Sequence, residues 1–409
     1  MTESEGAKGS VPSHVPVSSV WDEDFGRFTM ELDDPYEAGA RLHDGPEIVW
    51  STHGYRGEQG AWMIVGFDAM RQAFVDHEKF SSVDSAGTRG LLGVQWQQVP
   101  IEFDPPDHKI YRKFLNPLFA PKAVSERGEM VEKVCSDLVE RLATKESCEF
   151  ITEFAQLMPS YVFLHIMGMP EEQVEEFLDW ERQTLWTEDA AVRLAGAARI
   201  RDYLVELIEQ RRRRPVPDLI SAIACAQIDG RVIKADEAIG FCYSLFLGGL
   251  DTVMSVMGFA MCHLAANKPL QQMLRANPEL MSKAVDEFLR AYGVVVMRRT
   301  VRNDCEFRGQ VMKAGDQVML PTPIAGRDPR QFESPHHIDP HRTDKSGLTF
   351  GSGVHTCVGM HLARRELRVA LSAWLGRFKD ISISDKDQVR HRTGITWGVD
   401  CLPLTMVLA

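Results

Sequence analysis

Cys357 stands in the run Phe350-Gly-Ser-Gly-Val-His-Thr-Cys-Val-Gly359, a glycine-rich turn leading into the amphipathic stretch Met360 to Phe378. Glycines let the backbone curl so that amide N–H groups can face the sulfur. The positive end of the helix that follows favours the thiolate over the thiol. A reactive or metal-bound cysteine needs both. The other seven cysteines (Cys135, Cys148, Cys225, Cys242, Cys262, Cys305 and Cys401) are scattered, with no CxxC pair, and read as free thiols of a reducing compartment. A zinc site on His355, Cys357 and His361 lacks a fourth ligand at suitable spacing. A cysteine protease needs a paired base that no local signature supplies.

A second group is Gly248-Gly-Leu-Asp-Thr252, inside the apolar stretch Ile239 to Ala266. Two mid-helix glycines cost about 1 kcal/mol each, so they answer either to close helix packing or to a functional demand. A Thr252 hydroxyl bonding back to the carbonyl four residues earlier can open a notch in the helix. A third group is Glu287-Phe-Leu-Arg290, whose charged ends share a helix face, with Arg342 following in His-Ile-Asp-Pro-His-Arg342. Glu209 and Arg212 repeat that spacing inside the run Arg211 to Arg214 and read as solvated surface at a helix end, stopped by Pro215.

These residues need elements to hold them. Ile48 to Ser51 and Trp62 to Val65 read as strands around the glycine-rich loop Gly54 to Gly60. From about Pro106 to Phe288 the pattern is helical, with apolar residues three and four apart in Pro121 to Leu142, Val174 to Trp186 and Ala190 to Gln210. Short strands are expected at Val294 to Val296, Cys305 to Arg308, Val311 to Met312 and Gln317 to Leu320, then a loop rich in Pro, His and Asp, the helix Met360 to Phe378 and a β-like tail. The fold class is therefore mainly α with a minor β region (α+β). The two parts interleave as a single domain over 21–409, after a disordered polar leader over 1–20 that shows no signal-peptide pattern.

Of 409 residues, 46 are Lys or Arg and 58 Asp or Glu, a formal charge of −12. That balance argues against a nucleic-acid binder. Ile239 to Ala266 is long enough to span a bilayer, but Asp251 at its centre would cost roughly 3 kcal/mol there. A buried core helix in a cytoplasmic protein without a membrane partner is the expectation.

The pattern F-x-x-G-x-H-x-C-x-G closely resembles the haem-binding loop of the cytochrome P450 family, a match that ~10⁻⁴ of chains this long would show by chance. The resemblance extends over residues 20 to 409 and implies the triangular-prism fold of that family, with a long central helix over haem b. It makes Cys357 the axial ligand of the iron, a thiolate that pushes electron density toward O–O cleavage. Phe350, Gly351, Gly359 and Gly248 would lie against the haem. Arg112, in Phe103-Asp-Pro-Pro-Asp-His-Lys-Ile-Tyr-Arg112-Lys113, and Arg299 would hold the propionates, assisted by His108 and His355. Asp251 and Thr252 resemble a proton-delivery pair for dioxygen, and Glu287, Arg290 and Arg342 a buried network supporting the haem loop.

GGLDTV, the ExxR helix and LARRE after the cysteine are most similar to the bacterial camphor 5-monooxygenase subfamily, which implies electrons from a two-iron ferredoxin and its NADH-dependent reductase. On an otherwise acidic chain, Lys109, Arg112, Lys113, Arg364 and Arg365 form a basic patch suited to an acidic ferredoxin. The wall of the substrate pocket would be Gly87, Trp96, Ile101, Leu247, Val295, Met297, Ile395 and Thr396. Trp96 replaces a ketone-binding tyrosine, Gly87 an aromatic residue and Met297 an aspartate near the propionates. A larger apolar terpenoid or a norisoprenoid ketone of the ionone type is expected over camphor. Camphor hydroxylation, a peroxygenase or isomerase that needs no electron partner, and a non-catalytic haem sensor are the alternative functions.

Overall fold

The computed structural model describes residues 11–54 and 60–409. The apolar stretch forms the central element, Ala235–Gly249 followed by Asp251–Ala266, with Leu250 breaking the helix between them. It is long and apolar enough to cross a membrane, yet 61% of its most apolar window is buried inside the protein. Phe241, Phe246, Met257 and Met261 on it are fully buried in the larger of two hydrophobic cores. Each such side chain contributes roughly 1.5–3 kcal/mol by leaving water.

Helices surround this element where the apolar spacing places them, with local caps fixing their starts. Asp189 accepts from the Ala191 and Val192 amides at the start of Ala190–Arg213, and Asn267 caps Lys268–Ala276 through the Leu270 amide. The expected Pro121 to Leu142 helix is two, Pro121–Glu126 and Gly128–Leu142, separated at Arg127. The arginine run differs from the expected solvated end. It continues the helix to Arg213, and Arg211 is an anchor, bonding Asp218 at 2.6 Å and the Gly168 carbonyl at 2.8 Å. Glu209 and Arg212 do pair at the surface, at 3.1 Å.

The largest sheet joins strands from residues 20–81 to strands from residues 296–321, in the order Val20–Trp21, Ile48–Ser51, Ala61–Ile64, Gln317–Pro321, Val296–Val301 and Phe80–Ser81. Gln317–Pro321 pairs parallel to Ala61–Ile64 and antiparallel to Val296–Val301, so the strand carrying Arg299 lies between Gln317–Pro321 and the edge strand Phe80–Ser81. Its buried face, with Trp62, Ile64, Val318 and Leu320, makes the second core with Phe67, Met70 and Phe74 of the helix Phe67–Val75. The tail forms Phe378–Ile383 and Pro403–Leu408, joined by Ser147–Glu149 in a second sheet. A hairpin of Arg390–Arg392 and Gly398–Cys401 packs back toward the central helix.

The expected disordered leader differs over its second half. Residues 11–20 pack on the sheet, with Val15 buried, His14 bonding Asp316 at 2.8 Å and Ser19 bonding Gln310. Enough apolar and ionic contact is available there to offset the ordering cost. Residues 1–10, and 55–59 of the glycine-rich loop, lie outside the described residues.

Candidate functional site

The cysteine loop is held on the helix Phe67–Val75 by its glycines. Gly351 and Gly353 adopt φ of +66° and +73°, a region closed to most side chains, and Gly353 lies against the Val75 backbone. The turn places the Cys357 amide on the Phe350 carbonyl at 2.9 Å, and the helix Met360–Arg377 begins directly after. Cys357 is surrounded by protein on all sides, yet its surface is open to an internal cavity of about 930 Å³. Burial pushes its thiol up. The Gly359 amide, the charges of Arg112 and Arg364 and then the Met360 amide pull it down, in that order. Burial outweighs them, so the helix end does not by itself make the thiolate that the sequence leads one to expect.

Cations converge on the same cavity. Arg112 on the helix Asp107–Leu115 lines it and makes no hydrogen bond among the described residues. Arg299 is fully buried. It spends one nitrogen on the Arg298 carbonyl, while its Nη2 has no partner. Burial lowers it to about 10. His355 also lines the cavity, with Nε2 unpartnered, and is pushed by burial and then by Arg299 down to about 2. His108 lies behind it, the two rings tilted with their centroids 4.2 Å apart, has both nitrogens unpartnered, and is lowered by burial to about 4. Buried donors without acceptors each cost roughly 1–3 kcal/mol. The residues present fit a haem. Its two propionates would satisfy these orphaned donors, and the open Cys357 sulfur lies where the iron's thiolate belongs.

On the opposite side stands the break in the central helix. The Thr252 hydroxyl bonds the Gly248 carbonyl at 3.1 Å, as the back-bonded notch requires. Gly248 and Thr252 line the cavity, and nothing lies within 4 Å of where a Gly248 side chain would begin. Gly249 instead serves packing, because a Cβ there would come 2.4 Å from Phe163. Asp251 does not line the cavity. It is 1% exposed and turned outward, its Oδ1 accepting from Arg392 Nη2 at 2.5 Å and from Ser255 at 3.2 Å.

Glu287, Arg290 and Arg342 come together as expected. Arg290 grips the Glu287 carboxylate through two nitrogens, at 2.8 and 2.9 Å, and Arg342 adds a third bond at 3.0 Å. The arginines then hold the carbonyls of Gly326, Glu333, Ser334, Pro335 and His337. This pins the loop that runs into the cysteine turn.

Gly87, Ile101, Leu247, Val295, Met297, Ile395 and Thr396 line the cavity. Trp96 does not, a correction to the expected wall. It is buried behind Tyr243, edge-on at 5.2 Å, and Tyr243 faces the cavity instead. Nor is the space at Gly87 free. A Cβ there would meet Arg298 Nη2 at 3.3 Å, and that guanidinium is bound to the Asp84 and Ser85 carbonyls. Three further residues carry no motif: Arg392 and Glu181, which meet Asp251, and Glu366, a cavity-lining carboxyl that burial raises well above the usual range. The two glutamates do leave a trace in the sequence. Glu181 falls on the stripe Val174, Phe177, Leu178, and Glu366 lies four residues from both Leu362 and Ala370, each an acid on a buried face.

The Cytochrome P450 family profile matches residues 182–397. Over 403 residues the chain is 34% identical to the probable cytochrome P450 127A1 of Sinorhizobium fredii, covering 97% of this chain and 96% of that one. It is 30% identical over 385 residues to the vitamin D3 dihydroxylase of Streptomyces griseolus, covering 92% and 94%. Among solved structures, CYP101J2 superposes with a TM-score of 0.86 at 31% identity, over 98% of this chain and all of that one. CYP101C1 does so with 0.85 at 32%, over 97% and 100%. The chain belongs to the cytochrome P450 family of haem-thiolate monooxygenases, whose cofactor is haem b.

Proposed function

We propose that this monooxygenase hydroxylates an apolar terpenoid or norisoprenoid ketone with electrons from a two-iron ferredoxin in the cytoplasm. The observation that carries the reading is a single cavity lined on one side by Cys357, Arg112, Arg299 and His355 and on the other by Gly248 and Thr252. Bound there, haem supplies dioxygen activation and the insertion of one oxygen atom into a C–H bond. Cys357 would hold its iron through the thiolate, Arg112 and Arg299 would hold its propionates, and His355 with His108 would assist. Thr252 holds a proton at its hydroxyl in the notch, and Asp251 passes protons to that position from outside the cavity.

Leu247, Val294, Val295 and Ile395 make an apolar wall that excludes water from the ligand. The donor that orients a ketone is Tyr243 rather than Trp96. Burial raises the phenol, which therefore stays protonated, and it makes no hydrogen bond among the described residues. Covering roughly 250 Å² of such a ligand at ~25 cal/mol/Å² gives about 6 kcal/mol, a dissociation constant in the tens of micromolar. One hydrogen bond adds only ~1 kcal/mol, so shape dominates selectivity.

Optical titration of the ferric haem protein with camphor, ionones and linear terpenoids tests this, because a ligand that displaces water from the iron shifts the haem absorption. Ionone-like ketones are expected to give the largest shift, and Tyr243→Phe to weaken them about fivefold while sparing hydrocarbons. Camphor binding tightest would overturn the substrate class.

A further inference from the structure

Glu181, in the helix Val174–Leu185, is buried against the break in the central helix at 1% exposure. Its Oε1 has no hydrogen-bond partner, and neither has Asp251 Oδ2. The Asp251 amide, at the first residue after the Leu250 break, faces the Glu181 carboxyl. From the other side the Arg390–Arg392 strand brings the Arg392 guanidinium to Asp251, with Asp400 bonded to it at 2.6 Å. The Trp186 ring, just past the end of the Glu181 helix, lies 3.5 Å from that guanidinium. The charge of Arg182 also acts on Glu181. Two buried carboxyls thus meet beside one guanidinium that bonds Asp251 and the more exposed Asp400, each buried carboxyl with one oxygen unpaired. Ionising both would leave an uncompensated buried charge.

We infer that Glu181 and Asp251 are a carboxyl pair sharing one proton, in which Arg392, seated on Trp186, fixes the negative charge on Asp251 and Glu181 holds the proton that reloads it. The inference rests on the reading of Asp251 and Thr252 as the proton-delivery pair. Glu181 acts through Asp251 and is a positioning residue. In the step, the Glu181 O–H bond breaks and an O–H bond forms at Asp251 Oδ2. The charge moves to Glu181, where the Asp251 amide and the charges of Arg392 and Arg182 receive it, and a proton from water restores the pair. Burial and the Asp251 charge both favour the neutral form of Glu181 in the resting protein.

Infrared spectroscopy of the full haem-loaded chain reads the held proton directly. In the E366Q background, which removes the other glutamate raised well above the usual range, a protonated-carboxyl band is expected in the ferric protein that shifts in deuterium oxide, moves with ¹³C-glutamate but not with ¹³C-aspartate labelling, persists in E181D, and disappears in E181Q. A band that survives E181Q at full strength, or that moves only with labelled aspartate, overturns the inference. In turnover, E181Q is expected to keep the ligand-induced absorption shift, divert reducing equivalents to peroxide, and slow product formation about tenfold. The loss should be greatest at alkaline pH and partly rescued in E181D. Unchanged coupling and an unchanged pH profile would also overturn it. T252A separates the two failures. If T252A stays fully coupled, the delivery-pair reading has failed. If T252A uncouples while E181Q does not, only the role of Glu181 has failed. Should E181Q not accumulate as folded protein, the labelling experiment on E366Q, in which Glu181 is the remaining glutamate raised well above the usual range among the described residues, decides alone.

Discussion

Gly248 and Gly249 are neighbours in sequence and answer to opposite demands. Alanine is the better helix former by about 1 kcal/mol, and at Gly248 it meets open cavity. G248A should therefore raise the stability of the folded chain by up to ~1 kcal/mol in urea titration while weakening ligand-induced absorption shifts, since its methyl takes ligand space. At Gly249 the same methyl drives into Phe163, and overpacking of this kind costs about 1–3 kcal/mol. G249A should be the less stable of the two by urea midpoint. Glu181 gives a pH test with a definite sign. Its carboxyl is raised in the folded protein, so folding holds a proton that the unfolded chain releases above its ordinary value of about 4.3. The Glu181 contribution then favours folding below that value and is lost progressively as pH rises toward the folded-state pKa. E181Q should gain stability relative to the unmutated protein between mildly acidic and alkaline pH, and a constant difference across that range would contradict the buried neutral acid. The Thr252 bond to Gly248 was legible in the sequence because its partners lie four residues apart. The Asp251 bond to Arg392 spans 141 residues, and no local pattern encodes it.

Among elements, the helix Met281–Ala291 carries the most consequential arrangement, since its Glu287 and Arg290 are both fully buried at the side chain. Removing one partner of a buried pair costs about 3–5 kcal/mol because the other charge is left uncompensated. E287Q should lower stability by that order and reduce the haem bound per chain, measured by urea titration and haem absorbance. R342K, at a position 12% exposed, should cost about 1–2 kcal/mol through lost carbonyl bonds. A stable, fully loaded E287Q would show the network to be dispensable. The spacing of Glu287 and Arg290 is not what distinguishes them, because Glu209 and Arg212 share it at the surface. Burial decides, and burial follows from what packs above the helix. The same limit explains the elements that the sequence misplaced. The strands at 48–51 and 317–321 are apolar runs with turn residues beside them and were legible. The end of the long helix at Arg213 and the packing of residues 11–20 depend on partners brought from elsewhere, here Asp218 and Asp316.

At the scale of the whole molecule, a chain with formal charge −12 repels an acidic electron carrier everywhere except where local cations outweigh the field. Of the five cations read as a patch, three are already engaged. Arg364 pairs with Asp286 at 2.9 Å, Arg365 with Glu132 at 3.0 Å, and Arg112 is committed to the cavity. Lys109 and Lys113 remain, exposed one turn apart on the helix Asp107–Leu115 and without an ion pair among the described residues. Exposed ion pairs of the Arg364 and Arg365 kind contribute little net charge at a distance, so the two lysines should dominate steering. Reversing both to glutamate changes the local charge by four units beside the helix that carries Arg112. Reduction of the haem by a two-iron ferredoxin should slow several-fold at low ionic strength, and the slope of the rate against salt should flatten, because steering is the part that salt screens. Ligand-induced absorption shifts and urea stability should stay as they were, since neither lysine touches the cavity or the core. If the rate and its salt dependence are both unchanged, the electron partner docks elsewhere, and the charge of this face has no part in choosing it.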